Sequence, residues 1–449
     1  MRWSPALLLL LASAAWPQLA AAKPIQIPHE EFTLGNGLRV VLAPDHSAPI
    51  VHTQVWYHVG SKDEVAGRTG FAHLFEHVMF QGSKNTPGEY FTPIQEVGGT
   101  LNGTTNTDRT NYFETVPSRY LPLALFMEAD RMGALLDVFG QAKLDNQRDV
   151  VKNERRQRYE NPPYGLVWVD LSAAMYPEGH PYHHATIGSH EDLAAASVDD
   201  VSAFFRAWYV PNNATLVVAG DFDPAAARAL VTEQFGWIPS GPTPVHATAA
   251  PVHLTESQKI VQIQKVPDRK VWIGWHSAAA FQLGDAEMDI ASSLLCDGQD
   301  SRLYRRLVER DQIARDVSCS QMTRRLGGMF LIEATAAEGH TTDEIVAAVD
   351  SELGHVLGDA PPTAEEVSSA VTSYKVGAYY GLQTIQGKAS TMSGYMDLLG
   401  KPDAVQDDLN RYLKLKPSKV LKALKLVLDA PRVELHVLPQ ADAPAGGAP

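Results

Sequence analysis

The apolar positions of this chain recur in two rhythms that alternate along its length. "FTLGNGLRVVLAPD" alternates around Gly35-Asn36-Gly37 and predicts two strands joined by a turn. Ile50 to Gly60, "IVHTQVWYHVG", is rich in β-branched and aromatic residues and predicts a third strand. The period then lengthens. Phe71, Leu74, Phe75 and Val78 fall three and four residues apart, so "GRTGFAHLFEHVMFQG" predicts a helix between Gly70 and Gly82. "EYFTPIQEVGG" predicts a short helix, "TLNGTTNTDRTNYFETVP" a strand pair, and "YLPLALFMEADRMGALL" a helix. "KLDNQRDVVKNERRQRYE" predicts another helix, stopped by Asn161-Pro162-Pro163. "VDDVSAFFRAWY", "NATLVVAGD" and "PAAARALVTEQFG" predict helix, strand and helix, the last opened by Asp223 and Pro224.

Ile238 to Leu254 contains four prolines and no periodicity, and reads as a linker. Beyond it the order recurs. "KVWIGWHS" answers "HTQVWYHVGS" as a strand. "MDIASSLLC" and "SRLYRRLVERD" predict helices, "VSCSQM" and "MFLIEATA" strands, and "TDEIVAAVDSELGHVL" a helix. "RVELHVLP" closes this half as "NATLVVAG" closed the first, which points to an internal duplication.

Composition adds little except exclusions. The chain has 449 residues, long enough for more than one core. Its formal net charge of −14 disfavours a nucleic-acid partner. Residues 1–22 combine Arg2, an apolar run from Ala6 to Ala15 and the small residues Ala20-Ala21-Ala22, the pattern of a secretory signal peptide. No later stretch has the roughly 18 apolar residues of a spanning helix, so no integral membrane segment is expected in the mature chain. Two cysteines, Cys296 and Cys319, lie in apolar surroundings and read as buried thiols rather than a redox pair. The expected division is 1–22 signal peptide, 23–237 metal-binding domain, 238–254 linker, 255–440 second homologous domain and 441–449 disordered tail. The histidines of "GHPYHH", Gly179 to His184, follow no ligand spacing and are expected in a loop or on the surface.

The candidate chemistry is in "HLFEH". Residues four apart share one helix face, so His73 and His77 can aim imidazole nitrogens at one ion. Glu76 lies on the neighbouring edge of that face. Two neutral imidazoles, a further ligand, a position open to water and a nearby base make up a metallohydrolase site. The charged helix downstream offers Asp145, Asp149, Glu154 and Glu160 as the third ligand, and composition does not choose among them.

"GFAHLFEHVMFQG", followed by "GGTLNGTTNTDRTNYF" and "RDVVKNERRQRYENPPYG", resembles the pitrilysin/insulinase family of zinc peptidases with the inverted H-x-x-E-H motif. The resemblance covers about Phe32 to Pro439. It implies an α+β fold of two similar domains, each a mostly antiparallel sheet with helices on one face. It implies one Zn2+ per chain held by His73, His77 and Glu154, with Glu76 as general base. It also implies that a peptide or unfolded segment binds as an added strand along Asn102, Gly103 and Thr104.

Two departures from the family pattern bear on activity. Where many members carry a second glutamate, seven residues before Glu154, this chain has Gln147. Where active members carry an Arg and a Tyr in the second domain, it has Val308 and Arg315. Placed donors for a developing oxyanion typically contribute 10²–10³ in rate. The expectation is therefore a periplasmic zinc endopeptidase whose homologous partner subunit supplies the Arg/Tyr pair. The alternative is a weakly active or non-catalytic scaffold or peptide-binding member.

Overall fold

The computed structural model describes residues 24–442. The expected signal peptide lies outside the described residues, as does the expected tail from residue 443 onward. Ala441 and Asp442 are ordered instead: Gln440–Asp442 form a 3₁₀ turn, and Asp442 is clamped by Arg269 at 2.6 Å.

The first half opens with β1 (Glu30–Thr33), β2 (Arg39–Pro44) and β3 (Ile50–Tyr57), followed by α1 (Phe71–Val78) and α2 (Phe91–Glu96). The hairpin β4 (Thr100–Thr105) and β5 (Thr110–Pro117) comes next. Then follow α3 (Leu121–Ala134), α4 (Gln141–Arg155), α5 (Val167–Met175), α6 (His190–Ala195), α7 (Val198–Trp208), β6 (Ala214–Gly220) and α8 (Pro224–Phe235). No helix or strand forms between Phe235 and Gln258. The second half contains β7 (Gln258–Gln264), β8 (Lys270–Ser277), α9 (Asp285–Cys296), α10 (Arg302–Tyr304), β9 (Ala314–Met322), β10 (Gly328–Ala336) and α11 (Thr342–Leu357). It ends with α12 (Ala364–Gly381), α13 (Ile385–Leu399), α14 (Val405–Leu413), α15 (Pro417–Leu428) and β11 (Val433–Pro439).

The fold is α+β and duplicated. The strand orders are β1-β2-β6-β3-β5-β4 and β7-β11-β8-β10-β9. Each sheet has one parallel pair, β2 with β6 and β7 with β11, and is otherwise antiparallel. The second order repeats the first without β1. α4 and α10 both run on into π-helical turns, Arg156–Glu160 and Arg305–Arg310, but at places that do not correspond: α4 follows β5, whereas α10 precedes β9.

Two helices sit where a simple two-domain reading does not place them. Val167, Leu171 and Met175 of α5 pack in one apolar cluster with Trp272, Leu331 and Leu435 of the second sheet. In return Ala389, Met392 and Met396 of α13 pack with Val41, Val217 and Ala219 of the first. The opposite face of the first sheet carries Val40, Leu42 and Val55 into the core beneath α1, α3 and α7. Each half therefore lends a helix to the other, and both faces of both sheets are covered.

The cysteines differ from expectation. Cys296 at the end of α9 and Cys319 on β9 form a disulfide, with Cα atoms 5.4 Å apart. The helix packs directly on the strand, and this brings the two apolar sites within bonding reach.

Candidate metal centre

α1 begins at Gly70, which has φ +88°. A Cβ there would lie 2.7 Å from the Ile187 carbonyl oxygen, so the close approach of the 187–188 loop and the left-handed backbone both require glycine. Phe71, Leu74, Phe75 and Val78 are buried. Phe75 stacks on Phe204 at 5.5 Å and on Tyr209 at 4.9 Å, and the Tyr112 hydroxyl donates to the Phe75 carbonyl at 3.1 Å. These contacts fix the helix rotation and leave His73, Glu76 and His77 on the side toward α4.

The helix N-terminus is held by a group that the sequence reading missed. Glu64, its side chain fully buried, accepts from the backbone amides of Gly70 (2.9 Å) and Ala72 (2.8 Å). His184 Nε2 lies 2.9 Å from the same carboxylate. An anion at a helix N-terminus satisfies otherwise unpaired N–H groups and complements the dipole. Burial disfavours the His184 cation, but the Glu64 carboxylate outweighs it, and the pKa of the imidazole is raised. The "GHPYHH" histidines are thus in a loop but are not solvated surface groups. His180 is buried, and His183 Nδ1 is 2.7 Å from the Tyr176 carbonyl oxygen.

The structure brings His73, His77 and Glu154 together, with one ligand atom of each within 4.8 Å of the others. His77 Nε2 lies 2.9 Å and His73 Nε2 3.7 Å from Glu154 Oε2. Asp145 and Glu160 are engaged elsewhere, the first by Arg148, the second by Arg155 and His190. Burial and the neighbouring His77 push His73 down to about 4, so its ring is neutral at pH 7, the form that coordinates a metal. Burial raises Glu154, but the His77 hydrogen bond and the charges of His73, His77 and Arg158 outweigh it and hold the carboxyl below its usual value. Arg158 Nη1 reaches Glu154 Oε1 at 2.7 Å, a contact not foreseen from the sequence. Two imidazoles and one carboxylate are a donor set that suits Zn2+ with a position left open. The His73 Nδ1 is buried without a partner among the described residues.

Glu76 lines the same pocket, of about 510 Å³, opposite β4. Burial raises its pKa above the usual carboxylate range, against the Thr105 hydroxyl and the His77 and Arg109 charges. A Cβ on Gly103 would lie 3.2 Å from Glu76 Cγ, so the bare glycine lets the glutamate lie against the strand. β4 is the last strand of its sheet. Asn102 is exposed, Thr104 half-buried, and both line the pocket with Gly103. Gln147 is buried in the pocket wall, its amide donating to Asn146 at 2.7 Å. Val308 packs against the second core, and Arg315 pairs with Asp268. Neither lines the pocket.

Residues 39–186 match the family model described as insulinase, peptidase family M16, and residues 195–374 match the M16 inactive domain. The zinc protease PqqE of Helicobacter pylori is 30% identical over 316 residues, 68% of this chain and 69% of that protein. A solved protease from H. pylori superposes with a TM-score of 0.85 at 25% identity, over 92% of this chain and all of the other. The first half of the periplasmic protease PqqL from Escherichia coli gives 0.77 at 17% identity, covering 93% of each chain. With the duplicated sheets and the H-x-x-E-H helix in place, these matches establish that the chain belongs to the insulinase family of peptidases, family M16.

Proposed function

We propose that this chain is a zinc-dependent endopeptidase that hydrolyses peptides or unfolded segments as the metal-bearing subunit of a heterodimer. The observation that carries the proposal is the convergence of His73, His77 and Glu154 beside Glu76 and a sheet edge. His73 and His77 would hold the ion through imidazole nitrogens and Glu154 through its carboxylate. When bound, zinc supplies Lewis-acid polarisation and water activated for attack at neutral pH. Glu76 takes up the proton released in the attack and returns it to the leaving amine. Burial raises its pKa, which makes it the stronger base for that exchange. The outer edge of β4, from Asn102 to Thr104, holds the peptide as an added strand. Gln147 shapes the pocket wall without adding charge.

The developing charge on the scissile carbonyl needs donors that Val308 and the Asp268-bound Arg315 do not offer. A homologous partner chain bearing an Arg and a Tyr would supply them. The same lack of donors favours the second reading, a weakly active or non-catalytic peptide-binding member, and one experiment separates the two. The purified chain is assayed for metal content and for cleavage of a quenched fluorescent peptide, alone and with a homologous partner. Glu76→Gln should lower turnover by about 10²–10⁴ with the metal retained. Turnover indifferent to this change would refute an enzymatic role. Full activity of the chain alone would refute the division of labour. The leader-like residues 1–22 support a periplasmic location, which cell fractionation tests. No helix among the described residues is long and apolar enough to cross a membrane.

A further inference from the structure

A second cavity, of about 500 Å³, shares no residue with the metal pocket. It lies where the segment after α5, residues 251–254, the end of β8, and helices α9 and α15 meet. Met288, Leu326, Val427 and Leu254 give it an apolar wall. At one side three aromatic rings cluster: Tyr176 stacks on His180 at 4.7 Å and meets His276 edge-on at 5.2 Å. The polar atoms of these rings are specified by their other contacts. His276 Nε2 lies 2.8 Å from the Met175 carbonyl oxygen. That oxygen can only accept, so Nε2 carries the proton and Nδ1 is left as an acceptor. His180 Nδ1 accepts from the Tyr182 amide at 3.0 Å, so the neutral ring carries its proton on Nε2. Burial lowers both imidazoles and keeps them neutral. The Tyr176 hydroxyl is 3% exposed as a residue and has no hydrogen-bond partner. A buried phenol left unpaired is costly, and Tyr176 is one of the residues lining this apolar cavity of ligand size.

We propose that this cavity binds a small apolar carboxylic acid, its hydrocarbon body along the Met288–Leu326–Val427 wall and its carboxyl group at the Tyr176–His180–His276 cluster. The Tyr176 hydroxyl and His180 Nε2–H donate to the carbonyl oxygen, and His276 Nδ1 accepts a hydrogen bond from the acid O–H. Two donors and one acceptor at the end of an apolar slot complement a protonated carboxyl group, whereas a bare hydrocarbon would leave all three unpaired.

The test is calorimetric titration of the full chain with decanoic acid. Wild type should bind one molecule per chain, saturably. Gly327 lines the cavity, and a Cβ there meets nothing within 4 Å, so Gly327→Phe fills the space while leaving the backbone unstrained. It should reduce the affinity more than tenfold with the circular dichroism spectrum and Tm unchanged. Tyr176→Phe removes one hydrogen bond and should weaken binding about tenfold. No saturable binding by wild type at millimolar decanoic acid overturns the proposal, as does affinity undiminished in Gly327→Phe. Tyr176→Phe binding as tightly as wild type overturns the assigned carboxyl position.

Discussion

Arg131 is fully buried beneath the metal site, and its removal gives a sharp test of what supports that site. Its Nε donates to Glu128 Oε2 at 2.9 Å, a second N–H reaches the other oxygen, and both side chains are at most 1% exposed. The guanidinium lies 4.3 Å from the Tyr112 ring centroid and 4.4 Å from that of Tyr90. Tyr112 in turn holds the Phe75 carbonyl of α1. Glu114 completes the cluster. Burial and the nearby Glu128 raise its pKa well above the usual range, and the guanidinium hydrogen bonds go to Glu128. Arg131→Met strips Glu128 of its counter-charge, a loss that costs about 3–5 kcal/mol in buried pairs. Two desolvated cation–π contacts add about 2 kcal/mol each, of which methionine–aromatic contacts restore about half. The expected loss is about 5–7 kcal/mol, a large part of the 5–15 kcal/mol of a typical domain. Urea unfolding followed by tryptophan fluorescence measures it. Adding Glu128→Gln removes the stranded charge and should recover about 2–3 kcal/mol. A loss below about 1 kcal/mol for Arg131→Met, or a double variant no better than the single one, would refute this account.

His184→Gln should lower Tm at pH 6 and leave it unchanged at high pH. The folded imidazole pKa lies above the unfolded value, so its contribution is complete below about pH 6.5 and fades as pH rises through the folded pKa; a pH series of thermal melts reads this directly. Asp289 has the same sense, at lower pH. Burial pushes it up to about 7, so from about pH 4 to 7 the folded chain keeps a proton that the unfolded chain releases, and stability falls with rising pH across that window. Asp289→Asn should flatten that slope in denaturation curves at pH 5 and pH 8 and be the more stable form at pH 8. Leu171→Ala, at a side chain with no exposure, should cost about 2–5 kcal/mol and shift a single cooperative transition. Two resolved transitions would show that the halves unfold independently.

The H-L-F-E-H helix was legible because its chemistry is local: apolar spacing sets the face and the histidines follow it. The repeat of strand order was legible for the same reason, since β3 and β8 or β6 and β11 declare themselves by composition. Glu154 was not. Its helix held four candidate carboxylates, and only family resemblance chose among them; the structure does so by packing α4 on α1. β7 went unread because "QKIVQIQ" puts polar side chains on one face of an edge strand. α5 went unread because its apolar face answers a sheet more than 90 residues away, and nothing local signals that partner. Glu64 caps a helix whose N-cap, Gly70, lies six residues after it, a spacing no capping box describes.

The exchange of α5 for α13 bears on how this molecule can be divided. A protease cutting anywhere between residues 239 and 257 would sever the covalent link and still leave the pieces interlocked, because each would retain a helix seated in the other. Made from separate messages, the halves should be recovered soluble only when synthesised together, since either one by itself presents an uncovered apolar sheet. The two repeats are in this way bound into one interdependent unit.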